Sequence, residues 1–289
     1  MNTELSSVPP DMVPAPGSAL TLGLEIPSMK SLYIEMRFQE TLLSSGTAFL
    51  VANDQSSHCC LITNRHNVTG RHQETDECLD KKHGAIPDNI LIYFHKPPLE
   101  LGEWHCIELP LFKPDGQPWW IEHPRLGAKA DLVALNLRWG SDVHKVPYYL
   151  KTNKDRVNMV IRPAEAISVI GFPFGLSSTG RFPIWATGFM AQELGIVTPG
   201  NQTFLIDCRT RQGQSGSPVI AYRAGTVTRF ADGKISTAVG GAIVAWEFLG
   251  IYSGRVNPES DLGRVWHVSA IEEVFAAAEA AVPKKADGQ

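Results

Sequence analysis

Arg211-Gln212-Gly213-Gln214-Ser215-Gly216-Ser217-Pro218-Val219 sets a serine between glycines, after a run at Thr203 to Cys208 and before another at Ser217 to Tyr222. Glycines around a serine let the backbone turn tightly between two strands, so the hydroxyl is exposed and nearby N–H groups converge on one point. Such a turn makes a nucleophile and an oxyanion site together, although an ordinary Gly/Ser hairpin loop has the same composition.

Outward from this segment the chain repeats one texture. Short β-branched and aromatic runs are separated by Gly, Pro, Asn and Asp: Leu32 to Phe38, Thr47 to Ala52, Cys60 to Thr63, Ile90 to His95, Trp104 to Leu109, Leu132 to Leu137, Ala166 to Gly171, Gly241 to Trp246 and Arg264 to Val268. Many short strands at this spacing predict an all-β antiparallel sandwich or barrel. Strands do not alternate with long amphipathic helices, which argues against a doubly wound parallel sheet. Only the tail, residues 269–282, reads as a helix, with Ser269 as its cap and Ile271, Val274, Phe275 and Ala278 on one face. Residues 70–89 read as a polar insertion and 223–239 as a further hairpin or loop.

Two more segments carry chemistry. Cys60-Leu61-Ile62-Thr63-Asn64-Arg65-His66-Asn67-Val68 ends a buried run in a polar turn that presents a histidine, a side chain suited to proton exchange near neutral pH. Ala130-Asp131-Leu132-Val133-Ala134-Leu135-Asn136-Leu137 puts one carboxylate at the head of an apolar strand. Each alone is ordinary: a surface histidine and a turn-initiating aspartate. In the order His, Asp, Ser they match the chain order of chymotrypsin-like enzymes.

TAFLV, TNRHNV, DLVALNL, GQSGSPV and LGIYSG (Leu249 to Gly254) resemble the successive signature segments of the trypsin/chymotrypsin-like serine peptidases, including their bacterial branch, over about residues 33 to 270. The resemblance implies two six-stranded antiparallel β-barrels, the site between them and a closing C-terminal helix. The expected layout is a flexible Pro-rich arm over 1–30 and a peptidase domain over 31–283, with lobes at about 31–150 and 151–268. It also implies roles: Ser215 as nucleophile, His66 as general base and acid, Asp131 orienting the imidazole, the N–H groups of Gly213 and Ser215 holding an oxyanion, and Ser253 pairing its backbone with substrate. Arg209, six residues before Ser215, falls at the base of the primary specificity pocket, where a buried guanidinium would favour an acidic side chain. Ser217 stands where animal enzymes carry glycine, and Asn64-Arg65 replace the usual small pair. Gly171-Phe172-Pro173-Phe174-Gly175 resembles a segment of the bacterial stress-protease branch, without room for that branch's appended peptide-binding domain.

The implied function is a serine endopeptidase acting on protein or peptide through an acyl-enzyme; the alternative is a catalytically silent module that binds a protein partner through the same cleft. An α/β-hydrolase needs an acid and then a histidine after its serine, and only His267 follows Ser215. The chain is 43% apolar and 19% charged with a formal net charge of −4, a soluble globular profile that argues against nucleic acid or membrane as partner. Five cysteines, an odd count with Cys59 and Cys60 adjacent, and an N-terminus without the pattern of an export signal point to free thiols and a cytoplasmic setting. A peptidase there has to be restrained, which leaves room for a regulatory protein partner. His58, Cys59, Cys60, His66, His72, Cys78 and His83 lack zinc-site spacing, so neither a metal nor another cofactor is expected.

Overall fold

The β-branched and aromatic runs form strands, as where Ile90, Ile92 and Phe94 of β4 (Asn89–His95) turn inward. The computed structural model describes residues 23–98, 102–152, 154–231, 233–257 and 259–282. A first sheet joins β1 (Ser31–Phe38), β2 (Thr41–Ala52), β3 (Cys59–Thr63), β4, β5 (Trp104–Pro110), β6 (Trp120–Glu122), β7 (Val133–Asn136) and β8 (Tyr148–Tyr149). Its order is β5-β4-β1-β2-β3-β7-β6, with β8 pairing β2 in parallel. The second sheet is a closed barrel of β9 (Ala166–Gly171), β10 (Ile184–Met190), β11 (Thr203–Asp207), β12 (Pro218–Ala231), β13 (Lys234–Arg255) and β14 (Leu262–His267). One-turn α1 (Arg65–Thr69) follows β3, and α2 (Val268–Ala280) closes the chain.

The fold is thus mostly β, a chymotrypsin-like pair of curled sheets with a C-terminal helix. Three details differ from expectation. The first lobe uses eight strands rather than six, and its pairing path stays open. Strands β6, β8 and β10 were not read: the first two span three and two residues, and β10 contains Gly188, where a Cβ would stand 2.1 Å from the Asp207 carbonyl. The helix cap is His267 rather than Ser269, because the His267 ring accepts the Ser269 N–H. The expected apolar face of the helix, Ile271, Val274, Phe275 and Ala278, is buried.

The expected flexible arm divides. Residues 1–22 lie outside the described residues, but Ile26–Met29 forms a 3-10 turn docked on both sheets. His95 Nε2 donates to the Met29 carbonyl at 2.9 Å, and Trp185 Nε1 to Ser28 Oγ at 2.8 Å. Lys30 then enters the interior, with Nζ 3.0 Å from Asp155, whose carboxylate also takes the Trp246 indole N–H and the Tyr149 amide. Burial lowers the Lys30 pKa against the pull of Asp155, so the ammonium depends on this partner. Phe49, Tyr148 and Phe248 meet beside it between the lobes, Tyr148 and Phe248 stacked at 4.3 Å.

Burial holds the His267 pKa down at about 4 and lowers those of His95 and His123. These rings stay neutral when folded, whereas the unfolded chain takes up protons near pH ~6.5. Their contribution is therefore complete above that pH and is lost as pH falls toward 4. Urea midpoints should drop across that window, and His267→Asn, which keeps a capping acceptor, should make the decline shallower.

Candidate active site

Strand pairing brings the histidine and the aspartate together. The end of β3 faces the start of β7, with Thr63 opposite Val133, so the residues just after one strand and just before the other meet. Asn64 Nδ2 donates to the Asp131 carbonyl at 2.6 Å and fixes this junction. His66, in the first turn of α1, then lies with its backbone N–H 3.0 Å from Asp131 Oδ1 and its Nδ1 2.8 Å from Oδ2. A carboxylate only accepts, so Nδ1 carries the proton and Nε2 is left as an acceptor. Asp131 is 1% exposed and His66 15%: the carboxylate is sealed and the ring reaches the surface.

Ser215 comes from the other lobe, in the turn between β11 and β12. Its carbonyl accepts from the Thr47 N–H of β2 at 3.0 Å, and Thr47 Oγ1 donates to the Gly213 carbonyl at 3.0 Å. Glycine is required twice in this turn. Gly213 has φ +91°, and a Cβ there would stand 2.4 Å from the Phe172 carbonyl; Gly216 has φ +86°, and its Cβ would stand 2.0 Å from the Thr47 carbonyl. The Gln214 N–H between them donates to the Arg211 carbonyl, while among the described residues the N–H groups of Gly213 and Ser215 meet no acceptor.

His66, Asp131, Gly213, Ser215 and Ser253 all line one cleft of about 670 Å³ between the lobes. Hydrogen bonds join His66, Asp131 and Ser253; Ser215 joins them as a neighbour in the cleft wall. Ser253 sits at a bulge, where β13 skips from Tyr252 opposite Val265 to Gly254 opposite Arg264. The bulge leaves Ser253 without a strand partner and sends its Oγ to Asp131 Oδ2 at 2.5 Å, a side-chain contact that the sequence reading, concerned with its backbone, did not include.

Arg209 is a correction. Its guanidinium is 84% exposed, 3.6 Å from Asp261, and does not line the cleft. Residues after β11 keep alternating in and out, so Cys208 and Thr210 point inward and Arg209 points to solvent. The sequence reading also missed a contact across the cleft. Glu74 of the polar insertion accepts from Arg264 of β14 at 2.8 Å, which holds its carboxyl below the usual range. The two are 190 residues apart in the chain, and no local pattern pairs them.

The family described as trypsin-like peptidase domain matches residues 46–228. No curated protein matches the sequence significantly. Among solved structures, a serine endoprotease from Yersinia pestis is similar at 12% identity and TM-score 0.47, covering 88% of this chain and 64% of that one, so the chain spans under two thirds of that protein's length. The Rv3671c protease from M. tuberculosis is similar in an inactive form (15% identity, 92% of this chain, 98% of that chain, TM-score 0.43). Its active form is similar at 15% identity and TM-score 0.45, covering 96% of this chain and 93% of that chain.

Gly213→Ala should lower the unfolding free energy by about 1–3 kcal/mol, because it adds a strained left-handed residue and a contact with rigid backbone. Urea unfolding checks this, and an unchanged midpoint would show that the turn yields freely.

Proposed function

The chain belongs to the trypsin-like peptidase family, and from that membership we propose that it is a serine endopeptidase with His66, Asp131 and Ser215 as its triad. The observation that carries the proposal is the bond from His66 Nδ1 to buried Asp131 at 2.8 Å, formed in the same cleft wall as Ser215.

In this reading Ser215 Oγ attacks the substrate carbonyl while His66 Nε2 accepts its proton, then returns it to the leaving amine; water repeats the sequence to release the acyl group. Asp131 stabilises the imidazolium without taking the proton. It already accepts from His66 N, His66 Nδ1 and Ser253 Oγ, which fixes its orientation. The unpaired N–H groups of Gly213 and Ser215 are the donors for the oxyanion, each worth ~3–4 kcal/mol by comparison with single-donor deletions elsewhere. The bulge at Ser253 offers backbone to an extended peptide, which would lie as an added strand beside β13.

Five unpaired cysteines, Cys59 and Cys60 among the buried ones, support a reducing, cytoplasmic setting. Cell fractionation that recovers the protein outside the cytoplasm would overturn this placement. A regulatory protein partner is compatible with the reading.

Labelling with a fluorophosphonate tests the triad. Wild type should label at one serine, Ser215→Ala should not label, and Asp131→Asn should slow labelling by as much as ~10⁴-fold, the loss seen when a triad histidine is left in the wrong tautomer. Wild type that folds but does not label favours the silent binding module.

A further inference from the structure

Gly213 lines the cleft between two peptide planes, and a glycine lets either plane turn over at little steric cost. Each plane is pinned by its carbonyl. Gln212 O accepts from the Phe174 N–H at 2.6 Å, and because a trans peptide points its N–H opposite to its C=O, this bond aims the Gly213 N–H away from the turn at 172–175. The following plane is held from the other lobe by Thr47 Oγ1, which donates to the Gly213 carbonyl at 3.0 Å. A hydroxyl has one proton, and the Phe172 N–H, 3.3 Å from Thr47 Oγ1, takes a lone pair, which leaves that proton for Gly213. The turn at 172–175 is closed by the Gly175 N–H on the Phe172 carbonyl at 3.0 Å, so its hold on Gln212 depends on where Phe172 sits. One hydroxyl thus supports both planes, the second directly and the first through Phe172. Thr47 is fully buried and does not line the cleft.

We propose that the Thr47 hydroxyl is a positioning group for the oxyanion site: it keeps the Gly213 N–H on the oxygen that gains charge when Ser215 adds to a carbonyl, and it touches no reacting atom itself. This inference rests on the peptidase reading and adds to it a residue outside the cleft. The His66–Asp131 pair forms without Thr47, so the base is independent of this hydroxyl. Without the hydroxyl, the Gly213 carbonyl and the Phe172 N–H lose a partner together, and glycine at 213 regains the freedom to turn its N–H off the oxygen. The loss falls on the step in which charge develops and not on the affinity for the ligand.

A fluorophosphonate tests this on the full chain, because its phosphoryl oxygen takes the oxyanion's place while Ser215 Oγ displaces fluoride and gives its proton to His66. A concentration series separates the reversible affinity, KI, from the rate of Ser215 modification, kinact, read by mass spectrometry. Thr47→Val, which keeps the shape and removes the hydroxyl, should lower kinact by ~10–100-fold, the scale of loss from a misplacement of about 1 Å, with KI within ~3-fold of wild type. The pH dependence of kinact should keep its wild-type midpoint. Thr47→Ser, which restores the hydroxyl, should return kinact to within ~3-fold of wild type. An unchanged kinact in folded Thr47→Val, a loss carried by KI, a moved pH midpoint or a Thr47→Ser as slow as Thr47→Val each overturn the inference. Where Thr47→Val does not fold, Thr47→Ala, which only removes atoms, is read in its place with the same expectation; failure of both to fold assigns the hydroxyl to stability and overturns the positioning role. No labelling of wild type overturns the peptidase reading beneath it, whereas labelling that needs Ser215 but not the hydroxyl overturns the positioning role alone.

Discussion

The hydrogen bond from the Thr47 amide to the Ser215 carbonyl is the seam on which the site depends. Thr47 is fully buried in β2 of the first lobe, and each of its polar atoms is used across or beside the seam. Its hydroxyl donates to Gly213 and accepts from the Phe172 N–H, and its carbonyl accepts from Thr63 Oγ1. Asn67, one residue after His66, spans the same boundary by donating to Thr63 Oγ1 and to the Ser215 carbonyl. The serine turn therefore belongs by connectivity to the second lobe but is positioned by the first. Such contact needs backbones closer than side chains permit, which explains glycine at 216, against the Thr47 carbonyl, and at 171, where a Cβ would collide with Ser217 Oγ.

Asp131 completes the reciprocal link, as a first-lobe carboxylate that takes a hydroxyl from Ser253 of the second. The contact of His66 with Asp131 forms within the first lobe, and docking of the second lobe adds the Ser253 bond to the aspartate and brings the serine turn to the same cleft. Docking rests on the aromatic contact of Phe49, Tyr148 and Phe248, on α2 packed across both sheets, and on the buried Lys30–Asp155 pair. Breaking one half of a buried pair costs ~3–5 kcal/mol because the other charge is stranded. Lys30 does not line the cleft, so what it supports is the docking of the lobes.

These contacts explain which parts of the molecule were legible in the sequence. Strands such as Ile90 to His95 announce themselves because a run of β-branched and aromatic residues between turn residues is a local property, and β10 hides because Gly188 and its exposed residues break such a run. His66 and Asp131 were readable because each sits at the end of an apolar run, and antiparallel pairing then brings those ends together. Ser253 was half readable: its strand was evident, but the bulge that frees its backbone and turns its hydroxyl to Asp131 comes from a mismatch between β13 and β14. Arg209 was misplaced because counting back from the serine gives a position in the chain and not a side of the backbone. The Glu74–Arg264 contact depends on the course of a long insertion, for which no periodicity exists.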